Sequence, residues 1–411
     1  MRRHALATQL TVVVLAAGTL IASLLAHQVL PEQFLRDDQT LQQAMDPSTS
    51  YLLADSFQAI GRFYAALGLQ DAPPLASLLG VLAFLVGLFV AIGWNRMGQA
   101  GPWQLAFMAL WMGIAVVYLG QYSKEIVTLG VCLLVLIMPR GRGWDVVIVA
   151  AMAAYGATLR PYWLIVAPLY LVLRYALHRV RHTRLLLLIP VLFYAAAQPA
   201  FQLVLHAGMQ SQRDEVNEVR DGLEPVATLI VSPLPDGPGL QGIVAILLMF
   251  LLFLVPVPLL ALGSPYYIAS GAVIVLLWAV VLTQVFRGRL TGSAAPQAPA
   301  HLVKAGRAAA ALLALVMVQT FFEPDYGSCL KHLAPVLPLA MALLPCALGT
   351  RALGTRAQSV PVQALPDAAG QGAAEGAPAV VVAAGPLSTT TPVTSRVKTA
   401  AKTSVKEGRL A

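Results

Sequence analysis

Apolar positions in this chain come in long runs separated by short polar turns. The runs are Leu10–Leu30, Leu75–Gly93, Trp103–Gly120, Ile126–Met138, Val146–Ala157, Leu164–Leu177, Leu185–His206, Ile243–Leu262, Ile268–Phe286, Ala308–Phe322 and Leu333–Leu348. A bilayer-spanning helix needs roughly 20 apolar residues, and the shorter runs suit helices buried inside a bundle. The pattern predicts an all-α polytopic transmembrane bundle over 1–348, with about ten or eleven crossings. The first run follows a basic start, as in a signal peptide. It is longer than a signal core of roughly 7–15 residues, so it reads as an uncleaved first helix.

The polar connections sort by charge. "MRRH", "WNRMGQAG", "PRGRGW", "RYALHRVRHTR" and "FRGRLTG" through "HLVKAGR" are basic, and the positive-inside rule places them in the cytoplasm. The others then face outward. Two of these are long, 31–74 and 207–241. In the first, Leu52, Leu53, Phe57, Ile60, Phe63/Tyr64 and Leu67 recur at helical spacing. That predicts an amphipathic helix lying on the membrane surface or packed on the bundle. The alternation fails once. Three apolar runs separate "HRVRHTR" from "FRGRL", so a piece of 207–262 must be irregular: "EPVATLIVSPLP" as a re-entrant segment, or the Pro256/Pro258 helix failing to cross. The tail 349–411 has no sustained period and reads as a disordered cytoplasmic segment.

Composition agrees. The 411 residues are 58% hydrophobic and 11% charged, against about a quarter charged in a soluble domain. The net charge of +8 is explained by the basic loops, and nothing points to nucleic acid. Cys132, Cys329 and Cys346 form neither a disulfide framework nor a metal-ligand spacing. No Walker A loop, strand-linked G-x-G-x-x-G, HExxH or GxSxG occurs, which argues against ATP-driven chemistry. No cofactor is called for, and a divalent metal stays open.

Against this sparse background the outward turns are rich in ionisable groups. Asp37 and Asp38 follow the first helix, Lys124 and Glu125 open the fourth run, and Arg160 lies in "ATLRPYW". "FEPDYGSCLKH" holds Glu323, Asp325, Lys331 and His332 within ten residues. Charges at helix ends near a bilayer are costly unless paired or facing a wet cavity. Each has a plain structural reading: Lys124 snorkelling, Glu125 at the positive end of a helix, Arg160 anchoring an interface, Asp325 or Ser328 capping the next helix. Capping accounts for one group in the last turn, not four.

The order of these pieces resembles bacterial polytopic glycosyltransferases: the GT-C-like superfamily and Wzy-like polysaccharide polymerases. The resemblance lies in the acidic loop with an amphipathic helix after helix one, outer "SKE", Arg-Pro between short helices, and "FEPDYGSCLKHLAPVLPL". It covers the layout of Leu10–Leu348 through short motifs. It implies transfer of a sugar from a polyprenyl phosphate or diphosphate at the outer face of the inner membrane, in cell-surface or exopolysaccharide synthesis. It implies that Asp38, Glu125, Glu323 and Asp325 supply the catalytic carboxylates and that Lys124, Arg160, Lys331 and His332 bind substrate. Partners would be membrane lipids, the polyprenyl-linked saccharide, and polysaccharide export or chain-length proteins. Two other readings stand beside it: a transporter or flippase for the lipid-linked saccharide, which predicts charges at mid-membrane on broken helices, and a non-catalytic subunit of a synthesis or export complex.

Overall fold

The computed structural model describes residues 2–180, 182–204, 206–221 and 228–344; the tail 349–411, expected to be disordered, and Cys346 fall outside them. The described chain is helical throughout. In order come α1 (Arg2–Val29), α2 (Glu32–Met45), α3 (Asp55–Ala66), α4 (Pro73–Ile92), α5 (Trp94–Met97), α6 (Pro102–Leu119), α7 (Glu125–Ile137), α8 (Arg142–Thr158) and α9 (Trp163–Arg179). Then follow α10 (Thr183–Leu186), α11 (Leu188–Val204), α12 (Ser211–Asp221), α13 (Leu240–Leu254), α14 (Val257–Ala261), α15 (Pro265–Phe286), α16 (Ala300–Phe322), α17 (Tyr326–Leu333) and α18 (Leu337–Met341).

Six helical segments are long and apolar enough to cross a membrane: His4–Val29, Pro73–Ile92, Pro102–Leu119, Arg184–Val204, Pro265–Phe286 and Ala300–Phe322. The chain is a multi-pass helical membrane protein. The remaining apolar runs fold as shorter pieces. α8 and α9 have 17 residues each, and α7 and α13 have 13 and 15. The last run is broken by Pro335 and Pro338 into a 3-10 turn and α18, because proline lacks the N–H a continuous helix needs. Its side chains from Leu333 to Leu344 are nonetheless all buried.

Contacts define two ends. At one, the basic end, Arg96 meets His301 at 2.7 Å, Lys304 donates to the Val90 carbonyl, and the Gly292 N–H donates to the His178 carbonyl. At the other, the acidic end, Tyr64 donates to the Ser123 carbonyl, and the rings of Phe34, Tyr118 and Tyr266 pack edge to face. α1, α4, α6, α7, α8, α9, α11, α15 and α16 run between the two, so the basic loops gather at one end as the charge rule requires.

The contacts resolve the parity conflict. α11 finishes at the acidic end, where Phe201 packs on Phe321. α13 begins beside it, with Gln198 donating to the Gly237 carbonyl, and finishes close to Tyr326, whose hydroxyl reaches the Leu252 carbonyl. α15 then starts at the acidic end beside Phe34. α13 and α14 therefore enter and leave at the same end: the Pro256/Pro258 stretch does not cross. α14 folds back on α15 where Gly271 leaves room for Leu260.

α16 is the axis. Its apolar stretch is 94% buried, against 17% for that of Arg184–Val204. Ala305, Ala308, Ala309 and Ala310 are fully buried, and small side chains let neighbouring helices approach closely. Of the first outer loop, α3 is the predicted amphipathic helix; Ile60 and Tyr64 pack inward while Phe63 and Leu67 are exposed. It rests on α2, a helix the apolar pattern does not predict, at Gly61, where a Cβ would lie 2.7 Å from the Ala44 carbonyl carbon.

Candidate acidic-end site

The turn after α16 is built by capping and backbone pairing. Asp325 is the N-cap of α17, its Oδ1 accepting the Ser328 N–H at 2.8 Å. The Ile230 N–H donates to the Pro324 carbonyl and the Tyr326 N–H to the Thr228 carbonyl. This rigid turn fixes where α17 points Lys331 and His332.

His332 lies between two carboxylates. Its Nδ1 meets Glu323 Oε2 at 2.7 Å, and its Nε2 lies 3.6 Å from Glu125 Oε1. Glu125 is fully buried and forms an ion pair with Arg160, which also donates to the Tyr162 hydroxyl at 2.9 Å. Behind Glu125, the Thr128 and Tyr155 hydroxyls share a hydrogen bond of 2.7 Å. Residues from the end of α16, the openings of α7 and α9 and the last turn of α17 thus form one network: Glu323, Glu125, Arg160, Tyr162 and His332. Burial works against charge on Glu323, but His332, Ser328 and Arg160 together outweigh it and hold the carboxyl below its ordinary pKa.

A cavity of about 250 Å³ opens beside the network. Lys124, Tyr155, Arg160, Tyr162 and His332 line it, with Ser56 and Ile60 of α3 on the facing wall. Lys124 has no carboxylate within ion-pair distance among the described residues; its Nζ lies 4.2 Å from the centre of the Phe57 ring. Burial pulls its pKa down to about 8, with Asp37 resisting the fall.

The structure divides the sequence candidates. Glu125, Glu323, Arg160, Lys124 and His332 come together. Lys331 pairs instead with Asp37, tying α17 to α2. Burial acts to raise the Asp37 pKa, but Lys331 and Lys124 outweigh it and hold it low. Asp38 and Asp325 do not line the cavity. Asp38 accepts the Tyr122 N–H at 2.8 Å and the Gln42 amide at 2.7 Å, pinning the α6–α7 turn to α2; Asp325 is the cap. A buried carboxylate that satisfies backbone donors is holding a turn together, and these two act here as supports for the site.

A second buried cluster escaped the sequence reading. At the basic end Arg307 of α16 bonds Asp145 of α8 at 2.6 Å and the carbonyls of Met138, Pro139 and Gly141. Arg174 of α9 bonds Ser293 at 2.6 Å and lies 3.6 Å from Asp145. Counted as members of basic loops, these arginines gave no sign of being buried; the only hint was a lone Asp145 in a basic stretch.

No family model matches the chain, and no curated protein or solved structure matches it either.

Proposed function

We propose that the chain is a membrane glycosyltransferase or polysaccharide polymerase of the GT-C-like or Wzy-like kind. It takes a sugar from a polyprenyl-phosphate-linked donor at the outer face of a bacterial inner membrane, in cell-surface or exopolysaccharide synthesis. One observation carries the reading. A cavity at a bundle end combines an unpaired lysine and an arginine with an imidazole backed by a carboxylate.

The chemistry follows from the residues. With His332 Nδ1 donating to Glu323, a neutral ring presents Nε2 as an acceptor at the cavity wall. It takes the proton from an acceptor hydroxyl as that oxygen bonds to the anomeric carbon of the donor. The carbon–oxygen bond to the phosphate breaks, and the phosphate leaves with the bonding pair. Glu323 and Glu125 flank the imidazolium that forms, and the cations Lys124 and Arg160 hold the departing anion. The set of carboxylate candidates thereby narrows: Glu323 acts through His332, and Glu125 balances Arg160. The cavity is smaller than the roughly 300–1,000 Å³ of pockets that enclose whole small molecules, which suits the phosphate and its immediate neighbours.

The transporter reading draws less support. The ionisable network sits at helix termini at the acidic end, and a separate buried Arg307–Asp145–Arg174 cluster lies at the basic end. The test is transfer from polyprenyl-linked donors by the purified full chain, scored per folded molecule. Arg160→Ala and Glu323→Gln should each lose at least tenfold. Near-normal transfer by both overturns the proposal.

A further inference from the structure

A second and larger pocket, of about 490 Å³, lies at the same end and has no role in the scheme above. Gln202 and His206 from the end of α11, Gly208, and Asp236 and Gly237 before α13 line it. It is polar in a chain where charge is scarce. Asp236 is braced by the N–H groups of Gln210 and Gly237, each at 3.0 Å. It approaches so closely that a Cβ on Gly208 would lie 1.9 Å from Asp236 Oδ2. His206, at the rim, holds a left-handed backbone with φ of 51°, the one non-glycine residue with positive φ among those described. Such conformations cost energy and cluster at binding sites.

The two pockets are joined by aromatic rings. Tyr162, in the wall of the first, stacks on Phe322 at 6.1 Å, and Phe322 faces Phe201 at 6.4 Å. Phe201 directly precedes Gln202. The row therefore leads from the cationic cavity to the second pocket along the acidic end.

The chemistry of the second pocket differs from that of the first. Among the described residues no lysine or arginine lines it, and a carboxylate faces in, which disfavours an anion. A carboxylate, a primary amide, an imidazole and glycine backbone offer donors and acceptors together. Sugar hydroxyls also both donate and accept. We propose that this pocket binds the acceptor saccharide, its hydroxyls meeting Asp236, Gln202 and His206, with the aromatic row leading its growing end toward His332. The inference rests on the glycosyl-transfer reading but is tested without it.

The experiment is saturation-transfer NMR on the full chain in nanodiscs, without donor. The probes are glucose, galactose, mannose and their disaccharides, with glycerol as a control and inorganic phosphate as a probe of the first cavity. At least one sugar should give a signal that glycerol does not. Gln202→Ala, at an exposed position that folding does not need, and Gly208→Ala, which displaces Asp236, should each weaken it at least fivefold. Phosphate binding should be unchanged in both. Absence of signal from every sugar, an equal signal from glycerol, or a signal that survives both substitutions overturns the proposal. Sugar binding without any transfer would instead fault the catalytic reading and leave the pocket standing.

Discussion

Lys124 and His332 have different tasks, and pH separates them. Burial depresses the Lys124 pKa to about 8, so its charge is present below that value and lost as pH rises through it. If Lys124 holds phosphate, binding of inorganic phosphate should fall between pH 7 and 9. Lys124→Arg should abolish that fall, since guanidinium keeps its proton throughout. A wild-type affinity that is flat over this range would show that Lys124 does not contact the anion. Arg160 depends on shape as well as charge, because it serves Glu125 and Tyr162 from two different nitrogens. Arg160→Lys should therefore rescue transfer poorly, losing roughly 1.5–3 kcal/mol of charge-assisted bonding, read as a drop in kcat/KM. Those residues were legible in the sequence because ionisable groups are conspicuous among apolar runs. Their division of labour was not. A carboxylate that caps a helix, like Asp325, and one that orients an imidazole, like Glu323, look alike until the turn between them is folded.

At the scale of elements, sequence pattern reads length and apolarity well and neighbours poorly. α16 is less apolar than α4 or α15, yet it is the buried axis; only its alanine-rich stretch hints at that. α2 stayed hidden because it buries just Asp38, Leu41 and Ala44 on an otherwise polar helix. The basic-end cluster was hidden for another reason: Asp145 and Arg307 are 162 positions apart. That cluster ties α8, α9 and α16 together at the basic end. Asp145→Asn would leave two buried arginines without their counter-charge, a loss of about 3–5 kcal/mol. Thermal unfolding in detergent should register it as a clear drop in midpoint, while Arg287→Ala, at an exposed position, should change little. A close backbone approach makes the same kind of test possible between α4 and α6. A Cβ on Gly80 would lie 2.1 Å from the Leu119 carbonyl oxygen. Gly80→Ala must separate the two helices, and overpacking typically costs about 1–3 kcal/mol. An unchanged midpoint would mean that the helices are not packed this closely.

For the whole molecule, the decisive feature is the pair α13–α14, because it sets which loops share a side. Counting apolar runs alone makes 243–262 a crossing and puts the two flanking basic loops on opposite faces. The fold keeps them together by returning the chain at Pro256. Val255 leaves the helical backbone, and α14 packs back against Gly271 instead of continuing. This return also keeps the second pocket at the end that holds His332. Single cysteines in a background with the native cysteines replaced test it directly. Ser48→Cys lies between α2 and α3, Ala261→Cys at the end of α14, and Arg287→Cys after α15; all three positions are exposed. An impermeant maleimide should label Ser48→Cys and Ala261→Cys from the same face and Arg287→Cys only from the other. Labelling of Ala261→Cys from the Arg287 side would make α13–α14 a true crossing. The acidic-end loops would then lie on opposite faces, and neither the cavity at Lys124 nor the pocket at Asp236 could belong to a single site.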